Sequence, residues 1–345
     1  MTRTAVVICP GRGTYNKPEL GYLHRNHEDQ LELFRRFDAI RTETGQEGVT
    51  SLDASARFSV SKYSRGDIAS PLIYAASLAD VRALASDIEV VAVTGNSMGW
   101  YSALAAAGAL GPEDGFKVVN TMGTLMQENL IGGQLVYPFI GEDWADAPAR
   151  KAELLAEMAR INSIDGQDLA LSIDLGGMLV LAGNEAGLSA FEASQPVVQE
   201  RFPMRLANHA AFHTSLQAPV ASMGRARLGQ EMFQQPGVPM IDGRGKIWWP
   251  GACDLGGLRD YTFGHQVTET YDFTQAVQTV AREFAPDLFI VTGPGATLGG
   301  AVAQSLCLAG WLGLTQKTEF QRRQNAEPFL ISMGRPEQRR IVVAQ

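Results

Sequence analysis

The sequence predicts an α/β protein built on a mostly parallel sheet. Three observations predict it. An unbroken apolar run, Ala5 to Cys9, stops abruptly at Pro10-Gly11. A second β-branched run, Val90 to Val93, feeds Gly95-Asn96-Ser97-Met98-Gly99 and then a helix-prone segment. Helix-length segments separate the short apolar runs, which is the pattern of strands buried on both faces and joined by crossover helices.

Taken in order, Ala5 to Cys9 is a buried strand, and Pro10-Gly11-Arg12-Gly13-Thr14 is a turn able to bring backbone N–H groups against a ligand. It is not a dinucleotide fingerprint, because the third glycine and the helix start are missing, and no Gly-Lys-Ser/Thr makes it a P-loop. From His27 to Thr44 the residues Leu31, Leu33, Phe34 and Phe37 give a partial apolar helix face. Residues 45–66 are polar and poorly patterned, a loop with short elements. Ser70-Pro71 is expected to open a helix, since proline suits a first turn, and Leu72 to Leu84 continues it. The central strand follows, then a helix over Tyr101 to Leu110 and an amphipathic helix over Gly115 to Asn129 that Gly132-Gly133 ends.

From Gln134 the character changes. Gln134 to Ile140 reads as a strand and Pro148 to Ile161 as a helix. Leu169 to Leu175 and Met178 to Ala182 read as strands, Glu185 to Ser194 as a helix and Arg201 to Asn208 as a strand. This β-α-β-β-α-β order is that of a ferredoxin-like unit. The expected organisation is therefore a large hydrolase-like α/β core formed by residues 1–132 and 209–345, with a small ferredoxin-like subdomain inserted at 133–208. The junction would be a cleft, where substrates usually bind. After it come a helix through about Gln230, a Gly-, Pro- and Trp-rich loop region over 237–262 with one strand near Met240, a helix over Asp272 to Phe284 and a strand over Asp287 to Val291. Gly293-Pro294-Gly295 then turns into a helix over Ala301 to Leu308, and the tail, with Arg322-Arg323 and Arg339-Arg340, reads as a solvated surface.

The bulk numbers narrow the function. A chain of 345 residues can bury a large core, and a net charge of −8 from 37 acids and 29 bases argues against a general nucleic-acid binder. Cys9, Cys253 and Cys307 are far apart and lack metal-ligand spacing, so they are expected to be free thiols in a reducing compartment, with no metal and no bound redox cofactor. The apolar run before Pro10 is too short for a signal-peptide core and no run approaches a membrane span, so the expected location is cytoplasmic.

The chemistry centres on Gly95 to Gly99. A strand, a sharp Gly-x-Ser-x-Gly elbow and a helix would hold Ser97 out as a nucleophile, with the Met98 N–H and the helix dipole facing a developing oxyanion. The competing assignment is a serine that merely caps a helix. A serine nucleophile needs a base, and there are five histidines. His24 and His27 lie in a polar early loop where surface exposure is the default, and His265 sits in a Gly-His-Gln loop. His209 and His213 fall where the chain returns from the insert, and His213, just before Thr214-Ser215, is the best placed.

Several short segments, in order, resemble the malonyl-CoA:acyl-carrier-protein transacylase family and the acyltransferase domains of fatty-acid and polyketide synthases. Pro10-Gly11-Arg12-Gly13-Thr14 resembles the family's Pro-Gly-Gln-Gly-Ser loop. Gly95-Asn96-Ser97-Met98-Gly99-Trp100-Tyr101-Ser102-Ala103-Leu104 resembles its Gly-His-Ser-x-Gly-Glu-Tyr-x-Ala-Leu. Met122-Gly123-Thr124-Leu125-Met126-Gln127 resembles its Arg-Gly-x-x-Met-Gln, Phe212-His213-Thr214 its Phe-His-Ser, and Gly293-Pro294-Gly295 its late Gly-Pro-Gly. The resemblance spans about residues 5 to 310. It implies an acyl-CoA:acyl-carrier-protein S-acyltransferase, nominally malonyl. Ser97, deprotonated by His213, would take the acyl group from a coenzyme A thioester and pass it to the phosphopantetheine thiol of an acyl carrier protein. The backbone N–H groups of Met98 and Arg12 would form the oxyanion hole, and a main-chain carbonyl would orient the histidine, with Asp272 a weaker local match.

The departures sit at positions the resemblance places in the substrate pocket: Arg12, Ser70, Asn96, Met122 and Phe212 are the pocket candidates. Met122 stands where malonyl-specific members carry an arginine for the substrate's free carboxylate, and the loss of such a partner costs several kcal/mol. Arg12 is the candidate replacement, although its guanidinium could instead meet coenzyme A phosphates or a surface acid. Asn96 replaces the histidine beside the nucleophile, Trp100 the glutamate after the motif, and Ser70 the glutamine before Pro71. The alternatives carried forward are an acyl-thioester hydrolase or a neutral-acyl transferase on the same scaffold. A non-catalytic partner subunit and an unrelated α/β-hydrolase fit less well, the first because Ser97 and His213 are both present.

Overall fold

The computed structural model describes residues 2–344. Its described strands are β1 (Arg3–Cys9), β2 (Ile88–Gly95), β3 (Gly133–Pro138), β4 (Leu169–Leu175), β5 (Met178–Gly183), β6 (Met204–Arg205), β7 (Met240–Ile241), β8 (Ile247–Trp248), β9 (Tyr271–Asp272), β10 (Leu288–Val291) and β11 (Leu330–Ser332). They form two sheets, a mixed α/β architecture as expected. The first has the order β11-β10-β1-β2-β7-β8 and is parallel up to β7, with only the short β7–β8 pair antiparallel. The second has the order β6-β3-β5-β4-β9, antiparallel except where β9 joins β4.

The apolar run of β1 takes a central place, with Val6, Val7, Ile8 and Cys9 fully buried. Its neighbours end level with it, since Cys9 pairs with Gly95 of β2 and Ile8 with Val291 of β10. The Pro10–Thr14 loop, the Gly95–Gly99 elbow and the Gly293-Pro294 turn therefore leave the sheet at one carboxyl edge, the edge where open α/β sheets place their ligands. β9 lies outside residues 133–208 in sequence yet extends the second sheet, so that sheet is not closed within the expected insert. The strand expected over Arg201 to Asn208 shrinks to Met204–Arg205.

Two expectations are corrected here. The helix expected to open at Ser70-Pro71 runs Gly66–Arg82, with Pro71 inside it. Proline has no N–H to offer the Asp67 carbonyl one turn earlier. The buried Arg41 guanidinium fills that place, donating from Nη1 to Asp67 O at 2.9 Å and to Asn120 Oδ1 at 2.6 Å. A tertiary contact thus removes the penalty on which the local rule depends.

The tail and the early histidines are not all at the surface. β11 caps the edge of the parallel sheet, and Arg339 and His27 are buried around Asp80. Asp80 accepts hydrogen bonds from His27 Nε2 at 2.8 Å, Tyr22 Oη at 2.9 Å and the Gly293 N–H at 2.6 Å, and it pairs with Arg339. Burial alone would raise the Asp80 carboxyl, but the hydrogen bond from His27 and the charge of Arg339 together outweigh it and hold it below its ordinary value. His24 is partly exposed and reaches Asp53 at 2.9 Å. The three cysteines are free and buried. Among the described residues no helix is long and apolar enough to cross a membrane, and no His, Cys, Asp and Glu group is arranged to hold a metal.

Candidate active site

The elbow forms because β2 must turn into helix Gly99–Ala106 without side chains in the way. A Cβ on Gly99 would strike the Cys9 carbonyl, and one on Gly95 would strike the Gly99 backbone. The turn leaves Ser97 at φ 55°, a left-handed conformation that costs a non-glycine residue about 1–2 kcal/mol. His213 sits at φ 57° in the segment returning from the second sheet, its N–H donating to the Val267 carbonyl at 3.1 Å. Both members of the pair are thus held in strained backbone by tight surroundings.

The two side chains meet. Ser97 Oγ donates to His213 Nε2 at 2.7 Å, and His213 Nδ1–H donates to the Gln266 carbonyl at 2.6 Å. A carbonyl only accepts, so the ring proton belongs on Nδ1 and the lone pair on Nε2 faces the serine. Burial pushes the His213 pKa down to about 4, opposed by the Gln266 hydrogen bond and slightly reinforced by His265. The imidazole is therefore neutral, in base form, at pH 7. Asp272 takes no part: its carboxylate caps helix Phe273–Phe284 by accepting from the Gln275 N–H at 2.7 Å.

Ser97 and His213 open into a small pocket with largely apolar walls. Arg12, Ser70 and Phe212 line it with Met98, Gly123 and Met126. Two expected wall residues are elsewhere. Met122 is fully buried and its thioether packs on Gly224, because one step along helix Pro112–Glu128 turns it about 100° from Gly123. Asn96 lies behind the elbow, its N–H donating to the Cys9 carbonyl at 2.9 Å, with Oδ1 unpartnered. Trp100 is also core: its indole N–H donates to Thr262 Oγ1 at 3.0 Å and its ring meets Tyr261 edge-on. His265, expected in a loop, ends a wide helical turn over Tyr261–His265.

Nothing in the sequence pattern marks Gln266. Its backbone carbonyl holds His213, its side-chain Nε2 donates to the Ser97 carbonyl at 3.0 Å, and its Oε1 accepts from Tyr101 Oη at 3.1 Å. Tyr271 Oη likewise donates to the Gly95 carbonyl. No residue-type pattern marks a carbonyl donated by the backbone.

Fold and pair together define a class, the α/β proteins that present a serine hydroxyl to a histidine at the carboxyl edge of a parallel sheet. Within that class the chain is similar, in sequence and in fold, to malonyl-CoA:acyl-carrier-protein transacylases. It is 27% identical over 212 residues to the malonyl CoA-acyl carrier protein transacylase of Salmonella typhimurium, covering 60% of this chain and 63% of that one. It is 28% identical over 320 residues to the phenolphthiocerol synthesis polyketide synthase type I Pks15/1 of Mycobacterium marinum, covering 89% of this chain and 14% of the synthase. The chain thus spans less than two thirds of either relative. The crystal structure of the malonyl-CoA:acyl carrier protein transacylase of Xanthomonas oryzae pv. oryzae superposes with a TM-score of 0.73 at 20% identity, over 99% of this chain and 98% of that one. No protein-family model matches the chain.

Proposed function

We propose that the protein transfers an acyl group, nominally malonyl, from coenzyme A to the phosphopantetheine thiol of an acyl carrier protein through an ester on Ser97. The observation that carries this reading is the 2.7 Å Ser97–His213 contact with the ring fixed by the Gln266 carbonyl. Similarity to the transacylases supports the donor and the acceptor. In the first half-reaction Ser97 Oγ attacks the thioester carbon while its proton passes to His213 Nε2. The carbonyl oxygen becomes an oxyanion facing the backbone N–H groups of Met98 and Arg12, which among the described residues donate to no protein acceptor. The C–S bond breaks and His213 returns the proton to the departing coenzyme A thiolate. In the second half-reaction His213 takes the proton of the carrier's thiol, the sulfur attacks the ester carbon, and Ser97 leaves and is reprotonated. No metal or bound cofactor enters any step.

We read residues 133–208 as a ferredoxin-like subdomain and 1–132 with 209–345 as a hydrolase-like core. The strand order β6-β3-β5-β4 and its antiparallel pairing support this, since a β-α-β-β-α-β unit folds into that order. Three free, buried cysteines favour a reducing, cytoplasmic setting.

Intact-mass measurement after mixing with malonyl-CoA, followed by addition of holo-carrier protein, tests the reading. A malonyl adduct that forms on Ser97 and is discharged onto the carrier is expected. No adduct, an adduct that persists in Ser97→Ala, or discharge to water with none to the carrier would sink it.

A further inference from the structure

Three arginines whose guanidinium groups reach into the protein can be compared, two of them buried residues and the third, Arg12, half-buried with Nε and Nη1 sealed off. Arg41 donates to carbonyl oxygens of Glu47 and Asp67 and to Asn120, and Arg339 is paired with Asp80. Arg12, in the wall of the Ser97 cavity, has no such account. Its Nη2 donates to the carbonyls of Ser64 at 2.6 Å and Asn208 at 2.7 Å, and its Cζ lies 5.3 Å from the Phe212 ring centroid. Nε and Nη1 are shut away from solvent and, among the described residues, bond to nothing. Those two nitrogens carry three N–H donors.

The charge is unanswered as well. Among the described residues no acid lies within ion-pair distance of Arg12. Asp67, the acid whose field reaches it, is gripped by Arg65 through bonds of 3.0 and 2.9 Å. Burial pushes the guanidinium down only to about 10, so it keeps its charge at pH 7. His209 beside it is held neutral, since burial and then the Arg12 charge push its pKa well below the ordinary value. A buried cation without a counter-ion is costly, and it persists in an active-site wall where a ligand supplies the anion.

We propose that the Arg12 side chain receives a carboxylate carried by the acyl group, so that this chain selects thioesters of short dicarboxylic acids through the loop after β1. The proposal rests on the acyl-transfer reading above. Position favours the acyl group over the phosphates of coenzyme A, because Arg12 and Ser97 line one small cavity while those phosphates lie a whole pantetheine arm from the thioester. Arg12 Nη1 comes within 3.5 Å of where a Cβ on Gly66 would sit, and Gly66 packs backbone to backbone on Gly123. The guanidinium thus reaches the cavity wall beside helix Pro112–Glu128, a wall to which Met122 contributes no side chain. Arg12 would serve both ends of the substrate, the backbone N–H at the reacting oxygen and the side chain at the far carboxylate.

The test is a panel of malonyl-, acetyl-, propionyl- and butyryl-CoA, read as kcat/KM for acylation and as the mass of the Ser97 adduct. In the unmodified protein malonyl is expected to exceed each neutral acyl group by at least about 100-fold, the scale on which a buried charge that loses its partner discriminates. Arg12→Gln should cut that ratio by about 100-fold or more, and Arg12→Lys, which keeps the charge but not the donor geometry, by about 10-fold. A ratio between acyl groups is insensitive to how much of a variant folds. Equal rates for malonyl and propionyl in the unmodified protein, or an unchanged ratio in Arg12→Gln, would overturn the role of Arg12 and leave the acyl-transfer reading standing. An unmodified protein that takes an adduct from none of the four would overturn both.

Discussion

Two of the buried polar clusters among the described residues, one around Asp80 and one around Ser97, differ in how completely they satisfy themselves. At Asp80 one carboxylate meets an arginine, a histidine, a tyrosine and a backbone N–H, and every charge has its opposite. At Ser97 the pair is joined through His213 to a carbonyl, yet among the described residues Arg12 Nε and Nη1 and two nearby backbone N–H groups find no acceptor. A self-satisfied cluster joins elements, here the tail, the early helices and the Gly293 turn. A cluster with unmet donors has room in its hydrogen bonding for a substrate.

Removing the nucleophile breaks the comparison hardest. Ser97→Ala should abolish the acyl adduct while shifting urea-unfolding stability by no more than about 0.5 kcal/mol, since little packing is lost. Next, His213→Ala should slow acylation by roughly 10²–10⁴-fold, the usual worth of a positioned base. The same imidazole sets the pH profile. Its folded-state pKa is depressed to about 4, so the neutral base survives well below the ordinary 6.5, and kcat/KM should hold from neutrality downward and fall only near pH 4. The linkage has the matching sign. An unfolded histidine takes up its proton near 6.5, so the stability His213 contributes is full above that pH and erodes as pH falls toward 4. An acylation profile with its midpoint at 6.5, measured where circular dichroism shows the protein folded, would mean that the imidazole is solvated.

Smaller in effect is the paired replacement of the two arginines by methionine. Arg339→Met strands the Asp80 carboxylate in the core and should cost about 3–5 kcal/mol in urea unfolding. Arg12→Met removes a cation that no acid balances, at the expense of two hydrogen bonds to carbonyls, and should leave stability within about 1 kcal/mol of the parent. Equal losses would erase the distinction between the clusters.

Where the determinant is local, the sequence shows it. Strand β4 and helix Glu185–Ser194 begin and end where the sequence places them, and in the fold the helix opens at Asn184, whose side chain accepts from the Gly187 N–H at 2.9 Å. The elbow is local too, because its glycines are demanded by the turn itself. What escaped depends on partners distant in the chain. Pro71 reads as a helix start until Arg41 fills its missing bond. His27 and Arg339, 312 positions apart in the chain, read as surface until the fold brings both onto Asp80. Met122 matches the position of a pocket arginine in a linear comparison, but which side of a helix faces a cavity depends on packing against Gly224. Gln266 acts through its carbonyl, an atom that every residue has.

Trp100 gives the smallest effect and the finest distinction, since in sequence it replaces a glutamate at a position read as part of the substrate pocket. In the fold it is core, with its N–H on Thr262 and its ring against Tyr261 at 5.4 Å. Trp100→Phe keeps the edge-on contact and loses one hydrogen bond, and Thr262 Oγ1 still donates to the Leu258 carbonyl at 2.8 Å, so no buried donor is stranded. The expected result is a loss of about 1 kcal/mol in urea unfolding with the malonyl-to-propionyl ratio unmoved. A changed ratio with unchanged stability would return Trp100 to the pocket wall. The division between satisfied core and unsatisfied site would then have to be redrawn inside the elbow itself.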